Sequence, residues 1–342
     1  MMRGVILISM KTITTGSNMK DVARLAGVSV ATVSRVLNGF HGVNEGTQHR
    51  VMMAIEKLGY IPNYNASSLR TLKTKVMLVV VPDLSNTFFT EIIRGIEETA
   101  HARNYTIYIA ETVNSEERER ELVMRLRRQQ VDSVIFLTAR IDGGLFTDLS
   151  RNLPIVLACE TLPGLKVPQV GIDNLQAGFD ATQTLITLGH KHIVHIQGKE
   201  CMQLSHDRRR GYEMAMRQEH LRSTTFNGDF TFGSGVRAGQ EILVTMPECT
   251  AVFAANDDMA LGVMWAFTRA GRSIPGDISV MGFDDVAMST MVIPTLSTVS
   301  QPRRMMGQKA ATMAFEYDAM HDRAVDILAH TVVLRESTRQ LG

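Results

Sequence analysis

Residues 19–38 constrain the fold of this chain more than any other segment, because they carry the start and stop signals of two short helices. Asn18 is a suitable cap for the first helix, and Asp21, three residues later, completes a capping box. Gly27 supplies permissive backbone at a bend, and Ser29 caps the second helix. The segment therefore predicts a helix-turn-helix.

The second helix has a dry inner face and a short polar outer face. Val33, Val36 and Leu37 fall on the inner face. The outer face carries small side chains, polar side chains and one arginine: Val30, Ala31, Ser34, Arg35 and Asn38. A helix of this kind fits the major groove of DNA, whereas the alternative is an ordinary αα-hairpin in a helical domain.

The start of the chain is basic. Asn44 is a suitable cap for a third helix that runs to about Leu58, with Gly59 as its stop signal. The first 75 residues hold ten Lys or Arg against three Asp or Glu, which gives +7, so the chain's total of +1 leaves −6 for the remainder. A basic head on an acidic body suits binding to phosphates.

The position of each side chain on the second helix predicts its contact with DNA. We expect Arg35 to read guanine, and Val30 and Ala31 to tune the choice of base through apolar contact. The polar side chains at the start of the helix and along it are expected to contact phosphates or base edges: Ser29, Thr32, Ser34 and Asn38.

The run from Asp21 to Asn38, followed by Gly59-Tyr60-Ile61-Pro62-Asn63, resembles the DNA-binding head of the LacI/GalR family of bacterial transcription repressors. The resemblance extends from residue 19 over the rest of the chain. Within the family, Val79–Glu98 and Gly228–Phe232 resemble most the nucleoside-responsive, cytidine-type branch. The resemblance implies a homodimer on a pseudo-palindromic operator, controlled by a small-molecule effector.

The resemblance also implies a hinge at residues 63–75, which orders when two copies pair on DNA. Leu69 would then wedge into the minor groove, and Asn63 and Ala66 are the other hinge residues expected to contact DNA. The alternative is a plain linker that contains one incidental leucine.

From Val76 onward, short apolar runs alternate with amphipathic stretches, which predicts parallel βαβ units in doubly wound sheets. About 270 residues exceed one such sheet, so two lobes are expected. The resemblance implies the fold of periplasmic sugar-binding proteins. The predicted fold is therefore an N-terminal all-α helix-turn-helix domain, residues 19–62, followed by an α/β two-lobed effector domain, residues 76–342. Lobe one takes residues 76–171 and 301–330, and lobe two takes 172–300 and 331–342.

The predicted strands end repeatedly in polar residues: Pro82-Asp83, Glu111, Thr138, Cys159-Glu160, Asn256-Asp257 and Asp284-Asp285. Ligands bind at the carboxyl ends of parallel strands, so these groups should converge on a cleft that holds a hydroxylated small molecule. Asn256 and Asp284 are the preferred ligand contacts, whereas Asp257 and Asp285 are predicted to cap helices.

The resemblance adds further effector contacts. Arg208 opens an Arg-x-x-Gly-Tyr motif whose arginine contacts the effector in relatives, and Phe230 takes the place of a stacking aromatic ring. Phe88 and Phe89 would form an aromatic wall, with core packing as the alternative for one of them. Many relatives carry Asp after the strand at 155–158, where this chain has Cys159-Glu160, so Glu160 is predicted as a substitute contact. The effector class stays open among sugar, sugar acid and nucleoside.

Other functions receive less support. The three cysteines are few and widely spaced, which predicts neither disulfides nor a zinc site and fits the cytoplasm. No phosphate-binding Gly-rich loop or nucleophile elbow is present, so we expect neither an enzyme nor a cofactor. We expect residues 1–18 to be a disordered leader, or to precede a true start at Met10 or Met19, rather than the signal of a periplasmic transport protein. The lack of a leucine heptad at the end favours a dimer over a tetramer.

Overall fold

The computed structural model describes residues 17–37, 40, 42–60, 73–126, 131–138, 143–317 and 324–341. The chain forms two compact units, residues 1–74 and 75–342. Several predictions fall outside the described residues: the leader up to residue 16, the hinge from 63 to 72, and the contacts assigned to Asn38, Asn63, Ala66 and Leu69. No helix in the described ranges combines the length and the apolar character that a membrane crossing requires.

The first unit contains three helices: α1 (Met19–Ala26), α2 (Val30–Leu37) and α3 (Glu45–Leu58). Its core is small and consists of short side chains with one tyrosine: Val22, Ala23, Ala26, Val33, Val51, Ala54 and Tyr60. Short side chains let the helices approach closely.

The predicted helix caps of the first unit are confirmed. The Asn18 side chain accepts hydrogen bonds from the backbone N–H groups of Lys20 and Asp21, and the Asp21 carboxylate accepts one from the backbone N–H of Asn18. Asn44 accepts one from Thr47, and α3 ends at Gly59 in the left-handed conformation. Asn18 therefore belongs to the folded unit, although the predicted leader ran to residue 18.

The second unit alternates strands and helices along the chain. In order these are β1 (Val76–Val81), α4 (Phe88–His101), β2 (Thr106–Glu111), α5 (Glu116–Leu126), β3 (Ser133–Phe136), α6 (Gly143–Ser150), β4 (Ile155–Ala158), β5 (Gln169–Ile172), α7 (Asn174–Thr187), β6 (Ile193–Gln197), α8 (Gln203–Gln218), β7 (Thr224–Asn227), α9 (Phe232–Thr245), β8 (Ala251–Ala254), α10 (Asp257–Arg269), β9 (Ser279–Met281), a 3-10 turn (Ala287–Thr290), β10 (Thr298–Ser300), α11 (Arg303–Phe315), β11 (Val325–Leu328) and β12 (Thr331–Val333).

The strands form two main sheets. The larger sheet has the order β11-β5-β4-β3-β1-β2, and the smaller has the order β7-β6-β8-β9. Every pairing within these two sheets is parallel, whereas β10 and β12 form a separate antiparallel pair. The predicted doubly wound parallel architecture is confirmed.

Glycines set the spacing of the helix pairs that cover the sheets. A Cβ added at Gly178 on α7 would overlap the backbone of Arg208 on α8, and one added at Gly211 on α8 would overlap the backbone of α7. Gly95 on α4 approaches α11 in the same way. These contacts fix how closely the paired helices approach each other, and so the position of the side chains that they carry.

Candidate functional site

The outer face of α2 is accessible, as its sequence predicts. Ser29, Val30, Ala31 and Arg35 are exposed, and Thr32 and Ser34 are half-buried. Ser29 caps the helix, because its Oγ accepts a hydrogen bond of 3.1 Å from the backbone N–H of Thr32. Val33 on the opposite face is fully buried. The contacts that these outer side chains make with DNA stay predictions.

The second unit contains a cavity of about 330 Å³ at the carboxyl ends of both parallel sheets. This volume is in the range of small-molecule sites. Its walls include six of the seven residues predicted to bind the effector: Phe88, Phe89, Arg208, Phe230, Asn256 and Asp284.

Arg208 projects from α8 into the base of this cavity and is only 4% exposed. Its Nε donates to Asn174 Oδ1 at 2.9 Å, and its Nη1 donates to the carbonyl oxygen of Ala255 at 2.6 Å. The same Nη1 lies 3.8 Å from Asp284 Oδ1. Burial lowers the pKa of Arg208 to about 10, so the side chain keeps its charge at neutral pH.

A series of neighbouring rings begins at the guanidinium of Arg208. The guanidinium carbon lies 3.6 Å from the centre of the Phe283 ring. Phe253 lies next to Phe283 with its ring tilted. His195 lies between Phe253 and Tyr212, tilted against the first at 4.9 Å and stacked on the second at 5.3 Å. Burial lowers the pKa of His195 to about 3, so this ring is neutral and adds no charge beside Arg208.

Asp284, three residues after the end of β9, is held in an unusual backbone conformation with φ of 113°. Gln301 donates a hydrogen bond of 2.7 Å to its Oδ1. Burial raises the pKa of Asp284 to about 6, although Arg208 opposes the shift. The carboxylate is therefore positioned, largely desolvated, and able to accept from a ligand.

The structure corrects the predicted roles at the start of α10. Asn256, and not Asp257, caps the helix: its Oδ1 accepts from the backbone N–H of Met259 at 3.0 Å, and its Nδ2 donates to the carbonyl of Phe230. Asp257 lies below, buried, and accepts from Thr298 and from the backbone N–H of Val286. The cap falls on Asn256 because two residues separate β8 from the first turn of α10.

Asp285 is not a helix cap either. Its Oδ1 instead accepts from Arg335 at 2.6 Å and from Ser289 at 3.2 Å. The residue before the short 3-10 turn that follows is Val286, which makes no side-chain capping bond. The Asp285 carboxylate thus links the loop after β9 to the segment that contains Arg335.

The aromatic walls of the cavity lie on segments that follow strands of both sheets. Phe230, with φ of 70°, packs its ring on Gly198, where an added Cβ would overlap the ring. Phe88 and Phe89 begin α4 and meet edge to face at 5.1 Å, and both are 7% exposed. Both rings line the cavity, so neither is confined to core packing.

Glu160 is not part of the cavity wall, contrary to its predicted role. The preceding Cys159 lines the cavity instead and adopts φ of 74°, which turns the chain away after β4 and leaves Glu160 buried. Burial raises the pKa of the Cys159 thiol, so it is protonated at neutral pH and a weak nucleophile.

Asp83 and Thr138, two of the strand-end groups expected to converge on a cleft, line the cavity. Several other wall residues were not predicted: Lys199, Met202, Asp229, Thr231, Phe232 and Asp258. Asp258 directly follows Asn256-Asp257, and Lys199 follows the end of β6 by two residues. Asn174, Phe283 and Gln301, which hold Arg208 and Asp284, come from distant segments and carry no local signal.

A helix-turn-helix unit followed by a two-sheet unit with such a cavity is the organisation of a ligand-responsive DNA-binding regulator. Residues 18–63 match the family of bacterial regulatory proteins of the lacI type, and residues 182–338 match the periplasmic binding protein-like domain. Catabolite control protein A of Priestia megaterium is 37% identical and covers 93% of this chain and 98% of its own length. The transcriptional repressor CytR of Escherichia coli K12 is also 37% identical, over 96% of this chain and 98% of its own.

Solved structures agree. The lac repressor dimer bound to operator and the anti-inducer ONPF has a TM-score of 0.84 and 25% identity, over 95% of this chain and all of its own. The complex of the regulator CelR with cellobiose has a TM-score of 0.71 and 31% identity, over 94% and 99%. The chain therefore belongs to the LacI family and is a DNA-binding transcriptional repressor of that type. The predicted family and fold are confirmed.

Proposed function

We propose that this protein binds a pseudo-palindromic operator as a homodimer, and that a small molecule in the cavity of the second unit changes its affinity for that operator. The carrying observation is that one chain combines the exposed polar face of α2 with a cavity of about 330 Å³ that contains Arg208 and Asp284. We propose the effector to be a sugar, a sugar acid or a nucleoside.

A nucleoside is included because Val79–Glu98 and Gly228–Phe232 resemble the nucleoside-responsive branch of the family, and the repressor CytR is among the relatives. The cellobiose complex of CelR supports a sugar equally. We propose no catalytic residue and no cofactor for this protein. We also propose that it acts in the cytoplasm.

The mechanism couples two equilibria. Closure of the cavity around the effector would move lobe one (76–171, 301–330) relative to lobe two (172–300, 331–342), and would change the spacing of the two hinges (63–75) in the dimer. A coupling free energy of about 1–3 kcal/mol changes operator affinity by roughly 5–150-fold. Arg208 and Asp284 would sense the effector, and Arg35 would read the operator.

Selection of duplexes from a randomised inverted-repeat pool by the full chain tests the DNA assignment. Arg35→Ala is expected to abolish the preference for the selected sequence over random DNA, because it removes the guanine-reading side chain. Ligand-induced thermal stabilisation of the second unit should stay as in the wild type.

Arg50→Ala is the matched control, since it removes the same charge from an exposed position on α3. We expect it to weaken binding to all sequences equally and to keep the preference. Unchanged specificity of the Arg35→Ala variant would refute the role of α2.

A further inference from the structure

The walls of the cavity are acidic. Four carboxylates line it, Asp83, Asp229, Asp258 and Asp284, against two cations, Lys199 and Arg208. Arg208 is bound within the protein by Asn174 and the carbonyl of Ala255, and it lies 3.8 Å from Asp284. A ligand therefore meets a site whose formal charge is negative.

Two of these carboxylates come from opposite sides of the cavity. Asp83 follows β1 of the larger sheet, and Asp258 lies in the first turn of α10, which follows β8 of the smaller sheet. Burial, and then the charge of Asp83, raise the pKa of Asp258. The two groups therefore face one cavity from its two sides, and the charge of Asp83 opposes ionisation of Asp258.

Neither carboxylate is neutralised by a cation within the described part of the chain. Asp83 Oδ1 accepts from the backbone N–H and the hydroxyl of Ser85, at 2.8 and 2.6 Å. Asp258 accepts no hydrogen bond and forms no ion pair among the described residues. By contrast, Asp229 is bound by Thr231 and lies 3.6 Å from Arg237. Asp83 and Asp258 thus keep acceptor capacity that the protein itself does not use.

An ionised carboxylate accepts hydrogen bonds and donates none, so a group that lies between two of them must be a donor. A carboxylate or phosphate of the ligand would add a third negative charge, and such like-charge contacts are strongly unfavourable. The rings of Phe88, Phe89 and Phe230 supply apolar surface for the flat face of a sugar or a base.

Resting on the proposed function, we propose that the effector is uncharged or cationic, and that Asp83 and Asp258 select it by accepting hydrogen bonds from its hydroxyl, amino or ammonium groups. Sugar acids and phosphate esters are excluded by the same two residues. This narrows the effector class that the sequence leaves open.

Matched probes that differ only in charge test this selection by isothermal titration with the full chain. Glucose, glucosamine and glucuronate form one set, and adenosine and cytidine with their 5′-monophosphates form another. In every set that binds, we expect the uncharged or cationic member to bind at least about tenfold more tightly than the anionic member. The two sets also separate a sugar from a nucleoside.

The variants Asp83→Asn and Asp258→Asn assign the selection to these residues. Each is expected to reduce the preference against the anionic member by about tenfold, because the amide removes the charge and keeps the shape. Asp326→Asn is the control, since it removes one charge from outside the cavity, where Asp326 pairs with Lys309. It should leave the preference unchanged.

Tighter binding of glucuronate or a nucleotide by the wild type would overturn the proposal, as would an unchanged preference in both cavity variants. The proposal would also be contradicted if none of the uncharged or cationic probes bound to the wild type. Selective operator binding, measured on the same preparation, separates these failures from failure of the proposed function itself.

Discussion

At the scale of single residues, the site depends on a carboxylate kept out of water. Asp284 is 6% exposed and faces Arg208, Gln301 and the cavity. Arg208 in turn is fixed by Asn174 and by the Phe283 ring. The guanidinium and the carboxylate are both preorganised, so a ligand that binds to them does not have to order them first.

The raised pKa of Asp284 predicts a pH dependence of stability. The pKa is about 6 in the folded chain against an ordinary 3.8, so the folded state holds this proton more tightly than the unfolded state does. Ionisation of Asp284 therefore lowers the free energy of unfolding as pH rises from about 4 to about 6, by on the order of 3 kcal/mol.

Urea unfolding of the wild type and of Asp284→Asn, followed by the fluorescence of the only tryptophan, Trp265, measures this effect. The difference in unfolding free energy, wild type minus variant, should fall across this window and then level off. Because all other titrating groups are shared, a flat or rising difference would show that Asp284 titrates normally.

Local rules account for the residues that the sequence located correctly. Asn18, Ser29 and Asn44 act as caps because a cap depends only on the next three residues. The roles predicted for Asp257 and Glu160 each fall on the preceding residue instead: Asn256 caps α10, and Cys159 lines the cavity. The strand end that decides them depends on sheet pairing, and at Cys159 on a left-handed turn that no local pattern marks.

At the scale of elements, close helix pairs position the site. α7 and α8 approach so closely at Gly178 that an added Cβ would overlap the backbone of Arg208. Asn174, at the start of α7, thereby reaches the Arg208 side chain. The distance between α7 and α8 therefore determines the position of the Arg208 side chain in the cavity.

Gly178→Ala is expected to destabilise the second unit by about 1–3 kcal/mol and to weaken effector binding, because the added methyl group pushes α8 away. Gly233→Ala on α9 is the control, since its added Cβ meets no atom nearer than 3.7 Å. That change should be neutral or stabilising by up to about 1 kcal/mol. Thermal unfolding and ligand titration measure both effects, and equal behaviour of the two variants would contradict the role of this contact.

The alternation of strands and helices was readable from the sequence because buried parallel strands are short apolar runs. Several elements carry a weak local pattern. The strand β7 is half-exposed, α9 is rich in glycine, and β10 and β12 pair across the intervening α11. The cavity was predictable in outline, since the carboxyl ends of parallel strands meet, but its supporting contacts depend on packing between distant segments.

At the scale of the whole molecule, the chain joins a basic DNA-binding unit to an acidic ligand-binding unit. The first 75 residues carry +7 and the remainder −6. This division keeps phosphate attraction in the head, where it contributes to operator affinity, and keeps the body from competing for DNA.

We propose that ligand occupancy of the cavity sets the affinity of the first unit for its operator. We would titrate the full chain with a fluorescent duplex taken from the selection, with and without a probe that stabilises the protein thermally. We expect a change in operator affinity of roughly 5–150-fold for the wild type. For Asp284→Ala we expect unchanged affinity without the probe and no response to it. Equal operator affinity of the wild type with and without the bound probe would show that the cavity and the operator site are not coupled. A full response from Asp284→Ala would show that Asp284 does not sense the effector.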